Sequence, residues 1–173
     1  MKTMNRTWLG LLPLGALALG ACSNDTTMAL DEASITARLA DFDTSGEFTQ
    51  INAAPFASEH AANTVSVWVS NEGLETYLGV DPTDETDTVD AFPTGTMIVK
   101  EMFDEAGTRV AFTVMVKGAE GGVPATADWW WGRYDAAGVV QESGGIGYCI
   151  DCHESNGLAR TDWVRGIAPA ERR

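Results

Sequence analysis

Apolar and polar residues alternate along two stretches in the middle of the chain. In residues 64–70, Val65, Val67 and Val69 fall on one face of an extended backbone. Residues 109–117 repeat the pattern, with apolar side chains at Val110, Phe112, Val114 and Val116. A period of two is that of a strand with one buried face, so both stretches are predicted to be strands.

Further elements extend this pattern in both directions. Turn residues at 104–107 predict that a strand over residues 96–103 pairs with the strand at 109–117 as a hairpin, and a last strand is expected at 139–142. Near the N-terminus, residues 30–42 carry apolar side chains at a helical spacing. With no internal repeat, the sequence predicts one α+β domain that is mainly an antiparallel meander, with helices towards its N-terminal side.

The first residues have the form of an export signal. Lys2 and Arg6 precede an apolar stretch at 8–21, which is short for a membrane span and ends in Leu-Gly-Ala before Cys22. This ending resembles the cleavage box of bacterial lipoproteins, in which the cysteine receives the lipid. The alternative is an ordinary cleaved signal with an incidental cysteine. Ser23, directly after Cys22, resembles the sorting pattern for the outer membrane.

These observations divide the chain into a lipoprotein signal peptide at 1–21, a tether at 22–28 and a single domain at 29–173. The expected location is the periplasm-facing side of a membrane, to which the protein is held only by its N-terminal lipid. A domain of this length can bury a sizeable core.

The formal net charge of −14 limits the partners that the domain can have. It argues against nucleic acid and against attraction to anionic lipid. It suits docking with a basic redox partner, although it also serves simply to keep an exported domain soluble. Acids cluster at residues 80–90, without the spacing or glycine of a calcium-binding loop, and we expect a solvated loop there.

Residues 149–153 read Cys-Ile-Asp-Cys-His, the spacing at which two thiols attach one haem and the histidine ligates its iron. The alternatives are a dithiol redox pair and half of a zinc site. Zinc needs further ligands, for which His60 is the unassigned candidate, and a dithiol pair is expected in a βαβ context. We therefore predict covalently attached haem c, with Cys149 and Cys152 binding the porphyrin and His153 the iron. Cys22 takes the lipid, so no thiol remains for a disulfide.

The chain resembles the cytochrome P-460 family, which includes the β-sheet cytochromes c′, over about residues 65–164. The matching features, in chain order, are Phe92-Pro93-x-Gly95-Thr96-x-Ile98-Val99-Lys100-Glu101, Met115-Val116-Lys117, Asp128-Trp129-Trp130-Trp131-Gly132-x-Tyr134-Asp135, Cys149-Ile150-x-Cys152-His153-Glu154 and Asp162-Trp163. The resemblance implies a five-stranded antiparallel sheet with a few helices, often dimeric, and one high-spin haem c with an open distal position.

Lys100 matches the lysine that is joined to the porphyrin edge in the hydroxylamine-oxidising members of that family. Alternation puts Lys100 on the same side of its strand as Ile98 and Met102, where an amine is costly to bury without a special partner. The alternative is a lysine that extends to solvent or pairs with Glu101 or another acid.

The resemblance also implies a distal carboxylate that moves protons while bound hydroxylamine is oxidised. Glu120 is the carboxylate in the loop before the tryptophans, although Ala125 or Ala127 can instead hold the critical position. His60 is expected to be a loop histidine rather than a sixth iron ligand, and Trp129, Trp130 and Trp131 to be core and pocket wall. The methionines within strands leave methionine ligation open: Met97, Met102 and Met115.

Three functions are consistent with these residues. The first is a haem oxidoreductase that oxidises hydroxylamine or a related small nitrogen compound and passes electrons to a partner cytochrome. The second is a nitric-oxide-binding protein of the β-sheet cytochrome c′ type without turnover. The third is an electron carrier with a six-coordinate haem.

Overall fold

The computed structural model describes residues 30–58, 60 and 64–173. Six strands of this part of the chain form one antiparallel sheet in chain order. Their bounds are β1 Phe48–Gln50, β2 Thr64–Ser70, β3 Met97–Phe103, β4 Arg109–Lys117, β5 Trp129–Asp135 and β6 Val140–Gly144. The predicted antiparallel meander is confirmed, but the sheet has six strands where five were expected. β1 was missed because three residues are too few to show an alternating pattern.

Three α-helices accompany the sheet in the described residues: α1 Glu32–Ala40, α2 Leu74–Gly79 and α3 Gly147–Ser155. The Asp31 side chain caps α1 by accepting hydrogen bonds from the backbone N–H groups of Ala33 and Ser34. Within the described residues, no helix is both long and apolar enough to cross a membrane. The predicted signal peptide, the tether and Cys22 lie outside the described residues and stay predictions.

Each face of the sheet buries its own apolar cluster. α1 covers the first face, where Ile35 and Leu39 pack against alternate residues of the central strands. The core of this face consists of Ile35, Leu39, Phe42, Phe48, Met97, Val99, Phe112, Val114, Val116 and Tyr134. The predicted alternation in β4 is confirmed from Phe112 onward, whereas Val110 is 43% exposed near the start of the strand.

The second face lies under α2, α3 and the C-terminal segment, and it contains the site described below. Its core consists of Ile51, Val67, Val69, Tyr77, Val80, Phe92, Ile98, Met115, Trp129, Trp131, Ile146, Val164 and Ile167. Trp129 and Trp131 belong to this face, and Trp130 packs against the first face. The alternation predicted for the three tryptophans is therefore confirmed.

The C-terminal segment is fastened to the end of α2. The Arg172 guanidinium donates hydrogen bonds to the carbonyls of Leu78 and Val80, at 2.6 and 2.5 Å. Gly166 approaches the same point so closely that a Cβ atom built on it would lie 2.6 Å from the Val80 carbonyl oxygen. A residue without a side chain is therefore required at this crossing.

We expect Gly166→Ala to lower the free energy of unfolding by about 1–3 kcal/mol, because the clash is with backbone and buried side chain that cannot move freely. Gly79→Ala is the matched control, since its nearest atom would be 3.8 Å away. The control should change stability by less than about 1 kcal/mol. Denaturant unfolding of both haem-loaded variants measures the difference, and equal losses would contradict the packing described here.

Candidate functional site

Helix α3 carries the whole Cys-x-x-Cys-His motif. Residues three and four apart lie on one side of a helix, so Cys149, Cys152 and His153 can face the same space. All three line a cavity of about 680 Å³ between α3, the sheet and the C-terminal segment. Both cysteines are free thiols in the structure. The motif therefore places two thiols and an imidazole on the wall of one cavity.

His153 is oriented by a backbone carbonyl. Its Nδ1 lies 2.6 Å from the carbonyl oxygen of Trp163. A carbonyl can only accept, so Nδ1 carries the hydrogen and the lone pair is on Nε2. Burial lowers the pKa of His153, which favours the neutral imidazole. A neutral histidine with Nδ1–H held in this way is prepared to bind a metal through Nε2.

The Trp163 carbonyl is positioned by an unusual turn. Asp162 and Trp163 both have positive φ angles, 48° and 68°, in the left-handed region that side chains disfavour. The Asp162 carboxylate forms an ion pair with Lys117 Nζ at 2.7 Å and accepts a hydrogen bond from the Phe92 N–H at 2.7 Å. The Trp129 indole N–H donates to the Asp162 carbonyl at 2.7 Å. These contacts hold the turn that orients His153.

Lys100 lies near the middle of β3, on the cavity wall. Its neighbours in the sheet are Val67 on β2 and Thr113 on β4. It lines the cavity with Ile98 and Met102, so the predicted orientation of its side chain is confirmed. The structure thus brings Lys100 to the same cavity as the haem motif.

His60 also lines this cavity. Its Nδ1 is 3.1 Å from Ser58 Oγ and 3.4 Å from Lys100 Nζ. Burial, followed by the positive charge of Lys100, lowers the pKa of His60 to about 3, so the ring is neutral. Sequence reasoning treated it as an ordinary loop histidine, because a residue outside any periodic element carries no signal of the direction in which it points.

Glu120 does not reach the cavity. It is exposed in the connection between β4 and β5, and it is not among the lining residues. Glu171 is the one carboxylate among the described lining residues, and it is exposed. The structure therefore gives no support to Glu120 as a distal acid. Of the strand methionines, Met102 and Met115 line the cavity and Met97 lies on the other face.

The alternatives for the motif find no support in the geometry. The described part of the chain contains no group of three or more histidine, cysteine or acidic side chains that could hold a metal ion, as a zinc site would require. Burial raises the pKa of the Cys149 thiol to about 11. A reactive dithiol needs a lowered pKa, so Cys149 does not have the character of a redox cysteine.

Comparison with protein families matches residues 66–165 to cytochrome P460. The chain belongs to the cytochrome P460 family. A comparison with curated proteins finds no match. The matched range contains β3, β4, β5 and the haem motif, which form most of the cavity wall.

Family membership identifies haem as the cofactor, and the cavity fits it. Apolar side chains form much of the wall, including Val67, Ile98, Met115 and Trp131. The Trp131 ring contacts His153 edge-on at 6.1 Å, and its indole N–H is buried without a protein partner. A large apolar cavity with a few polar groups is the usual form of a cofactor site.

We expect Lys117→Met to lower the free energy of unfolding by about 3–5 kcal/mol, because it leaves the Asp162 carboxylate buried without its cation. Arg133→Met is the matched control: it breaks the pair with Glu142, whose side chains are 46% and 42% exposed. Breaking an exposed pair should cost less than about 1 kcal/mol. Denaturant unfolding at equal haem content compares the two variants. Similar decreases in the free energy of unfolding would show that the buried pair stabilises the protein no more than the exposed pair does.

Proposed function

We propose that this protein is a c-type cytochrome that binds and oxidises hydroxylamine, or a related small nitrogen compound, at the iron of one covalently attached haem. The observation that carries the proposal is the position of His153. Its Nδ1 is bound to Trp163, its Nε2 is available, and two thiols lie on the same cavity wall. Haem, when bound, supplies a redox-active iron that can take electrons from a small ligand.

In this proposal each thiol of the motif forms one thioether. The S–H of Cys149 or Cys152 adds across a vinyl group, so a carbon–sulfur and a carbon–hydrogen bond form and no oxidant is needed. His153 would hold the iron of a bound haem through Nε2. The apolar residues of the cavity wall would limit the access of water to the haem, which favours binding of a small, weakly charged ligand.

Lys100 is the candidate for a second covalent link, from Nζ to a carbon at the porphyrin edge. This bond replaces one N–H and one C–H, so two electrons and two protons must leave. A peroxide would accept them and be reduced to water. Support for the assignment comes from the side chain's place on the cavity wall, beside the haem motif in space although distant in sequence.

The scarcity of carboxylates among the described cavity residues favours a second function, the binding of nitric oxide. Oxidation of hydroxylamine releases protons, and a carboxylate within hydrogen-bond reach of the bound ligand would accept them. Among the described lining residues only the exposed Glu171 has a carboxylate. A protein of this kind is suited to bind nitric oxide without turnover.

We further propose that the protein faces the periplasm, anchored to the outer membrane through lipid on Cys22. The net charge of −14 suits a basic partner cytochrome as the electron acceptor, and a homodimer is the proposed assembly. These proposals rest on the sequence, since Cys22 lies outside the described residues.

The covalent attachment is tested by replacing the thiols. After expression in a host that matures c-type haem, the full chain should keep its haem through denaturation. Cys149→Ser or Cys152→Ser should leave a single thioether, and the double variant should release all haem to an acidic organic solvent. Cys22→Ser is the control, and it should keep haem while losing membrane attachment. Haem that stays bound in the double variant would contradict the assignment.

The role of Lys100 is tested by Lys100→Leu. The ferrous wild-type protein should show a strongly red-shifted Soret band, and the variant an ordinary haem c spectrum with haem still attached. Arg133→Leu, which removes another cation from the cavity wall, should leave the spectrum unchanged. An identical spectrum for wild type and Lys100→Leu would contradict the link.

Turnover is measured as reduction of an artificial electron acceptor that depends on hydroxylamine. Reduction by wild type that is lost with Lys100→Leu would support the oxidoreductase. Tight binding of nitric oxide without any reduction of the acceptor would favour the second function.

A further inference from the structure

A smaller cleft of about 140 Å³ adjoins the haem cavity. The two spaces share five lining residues: Pro82, Asn156, Leu158, Arg165 and Gly166. Arg160 also lines the cleft, and it belongs to the short helical turn Leu158–Thr161 that follows α3. The proposed function uses neither arginine. The cleft is too small to hold a porphyrin, but a short side chain that extends from one would fit.

Arg160 has a hydrogen-bond donor without an acceptor. Its Nη1 donates to the Gly157 carbonyl at 3.0 Å. Its Nε is buried and has no hydrogen-bond partner among the described residues. A buried donor left unsatisfied costs about 1–3 kcal/mol, so such an atom calls for an acceptor. The Nε edge of a guanidinium binds a carboxylate particularly well, because two N–H groups can donate to its two oxygens.

The charges around the cleft favour an anion. Arg165 is exposed and lines both spaces. Burial is the main cause of the lowered pKa of His60, and the positive charge of Arg165 contributes to it, so this charge acts within the cavity. Asp81 is the one carboxylate that lines the cleft, and it accepts hydrogen bonds from the N–H and the hydroxyl of Thr83 at 2.9 and 2.6 Å. Two arginines against one carboxylate leave the lining positive.

The position of the cleft indicates which anion it receives. In haem, each pyrrole ring that carries a vinyl group is next to a ring that carries a propionate. Cys152 binds one vinyl group under the proposed function. Asn156 lies four residues after Cys152, donates to its carbonyl at 2.7 Å and lines both spaces. The cleft therefore begins beside the ring attached to Cys152, where a propionate is expected.

We infer that Arg160 and Arg165 bind one haem propionate in this cleft. The inference rests on the proposed function, because it uses haem joined to Cys152. It goes beyond that function by assigning two positioning residues that do not contact the iron. The carboxylate satisfies the buried Nε of Arg160, and the apolar porphyrin stays in the larger cavity. Two positive charges near the haem edge also favour the ferrous over the ferric iron.

The test measures the reduction potential and the resonance Raman spectrum of the full-length holoprotein. Arg160→Gln and Arg165→Gln each remove one positive charge beside the propionate, which stabilises ferric iron. Each should lower the equilibrium constant for reduction by roughly three- to tenfold, where tenfold corresponds to about 59 mV for one electron. The Raman band of propionate bending should shift in both variants, because the carboxylate loses hydrogen bonds.

Arg160→Lys and Arg165→Lys separate the charge from the hydrogen bonds. A lysine keeps the charge but cannot form the two parallel bonds of a guanidinium. Both variants should keep the equilibrium constant for reduction within about twofold of wild type, yet still shift the propionate band.

Arg173→Gln is the matched control. It removes the same charge from a residue that is exposed, bonds to Gln50 at 2.8 Å and lines neither space. It should change the equilibrium constant for reduction by less than about twofold and leave the propionate band in place. Glutamine variants of Arg160 and Arg165 that behave like this control would overturn the inference. So would a lower potential without any shift of the band, since it would show a charge acting through space without a direct bond.

If Arg160→Gln does not fold, Arg165→Gln decides the question, because Arg165 is exposed and its replacement leaves no buried group unpaired. A shifted band and a lowered potential in that variant support the inference, and wild-type values of both overturn it. All of these outcomes leave haem covalently attached. Release of haem from the denatured wild-type protein would instead refute the proposed function.

Discussion

The buried ion pair between Lys117 and Asp162 joins the sheet to the segment that follows the haem motif. Lys117 ends β4, and both side chains are 8% exposed. Taking two charges out of water is costly, and attraction repays that cost only when the remaining polar atoms are satisfied. Here they are, because Lys117 Nζ also donates to the Ala127 carbonyl and Asp162 also accepts from the Phe92 N–H. The pair is part of a complete network.

This network stabilises the strained turn at Asp162 and Trp163, which orients His153. Consecutive positive φ angles at Asp162 and Trp163 each cost of order 1–3 kcal/mol and persist only where surrounding contacts fix them. The turn directs the Trp163 carbonyl at His153, and this contact sets the tautomer of the imidazole. The sheet therefore contributes to the site in two ways. One of its faces carries Lys100 on the cavity wall, and Lys117 forms the ion pair that stabilises the turn next to His153.

The regular elements were predictable because they repeat. β2 and β4 were found with their observed bounds, and the face on which Lys100 lies followed from alternation alone. α3 was not predicted as a helix. Its N-cap is Ile146, which provides no capping side chain, and the helix begins with a glycine, so the usual start signal is absent. β1 was too short to show any period.

The sequence by itself determined the antiparallel fold, the haem motif and the side of the sheet on which Lys100 lies, since these depend on local spacing and chain direction. The tertiary structure alone decided that the His60 ring lies beside His153, that Glu120 lies away from the cavity and that a backbone carbonyl orients His153. A carbonyl is present at every residue and has no sequence signature. Loop side chains have no period to fix their direction, so their partners are set by how distant segments pack.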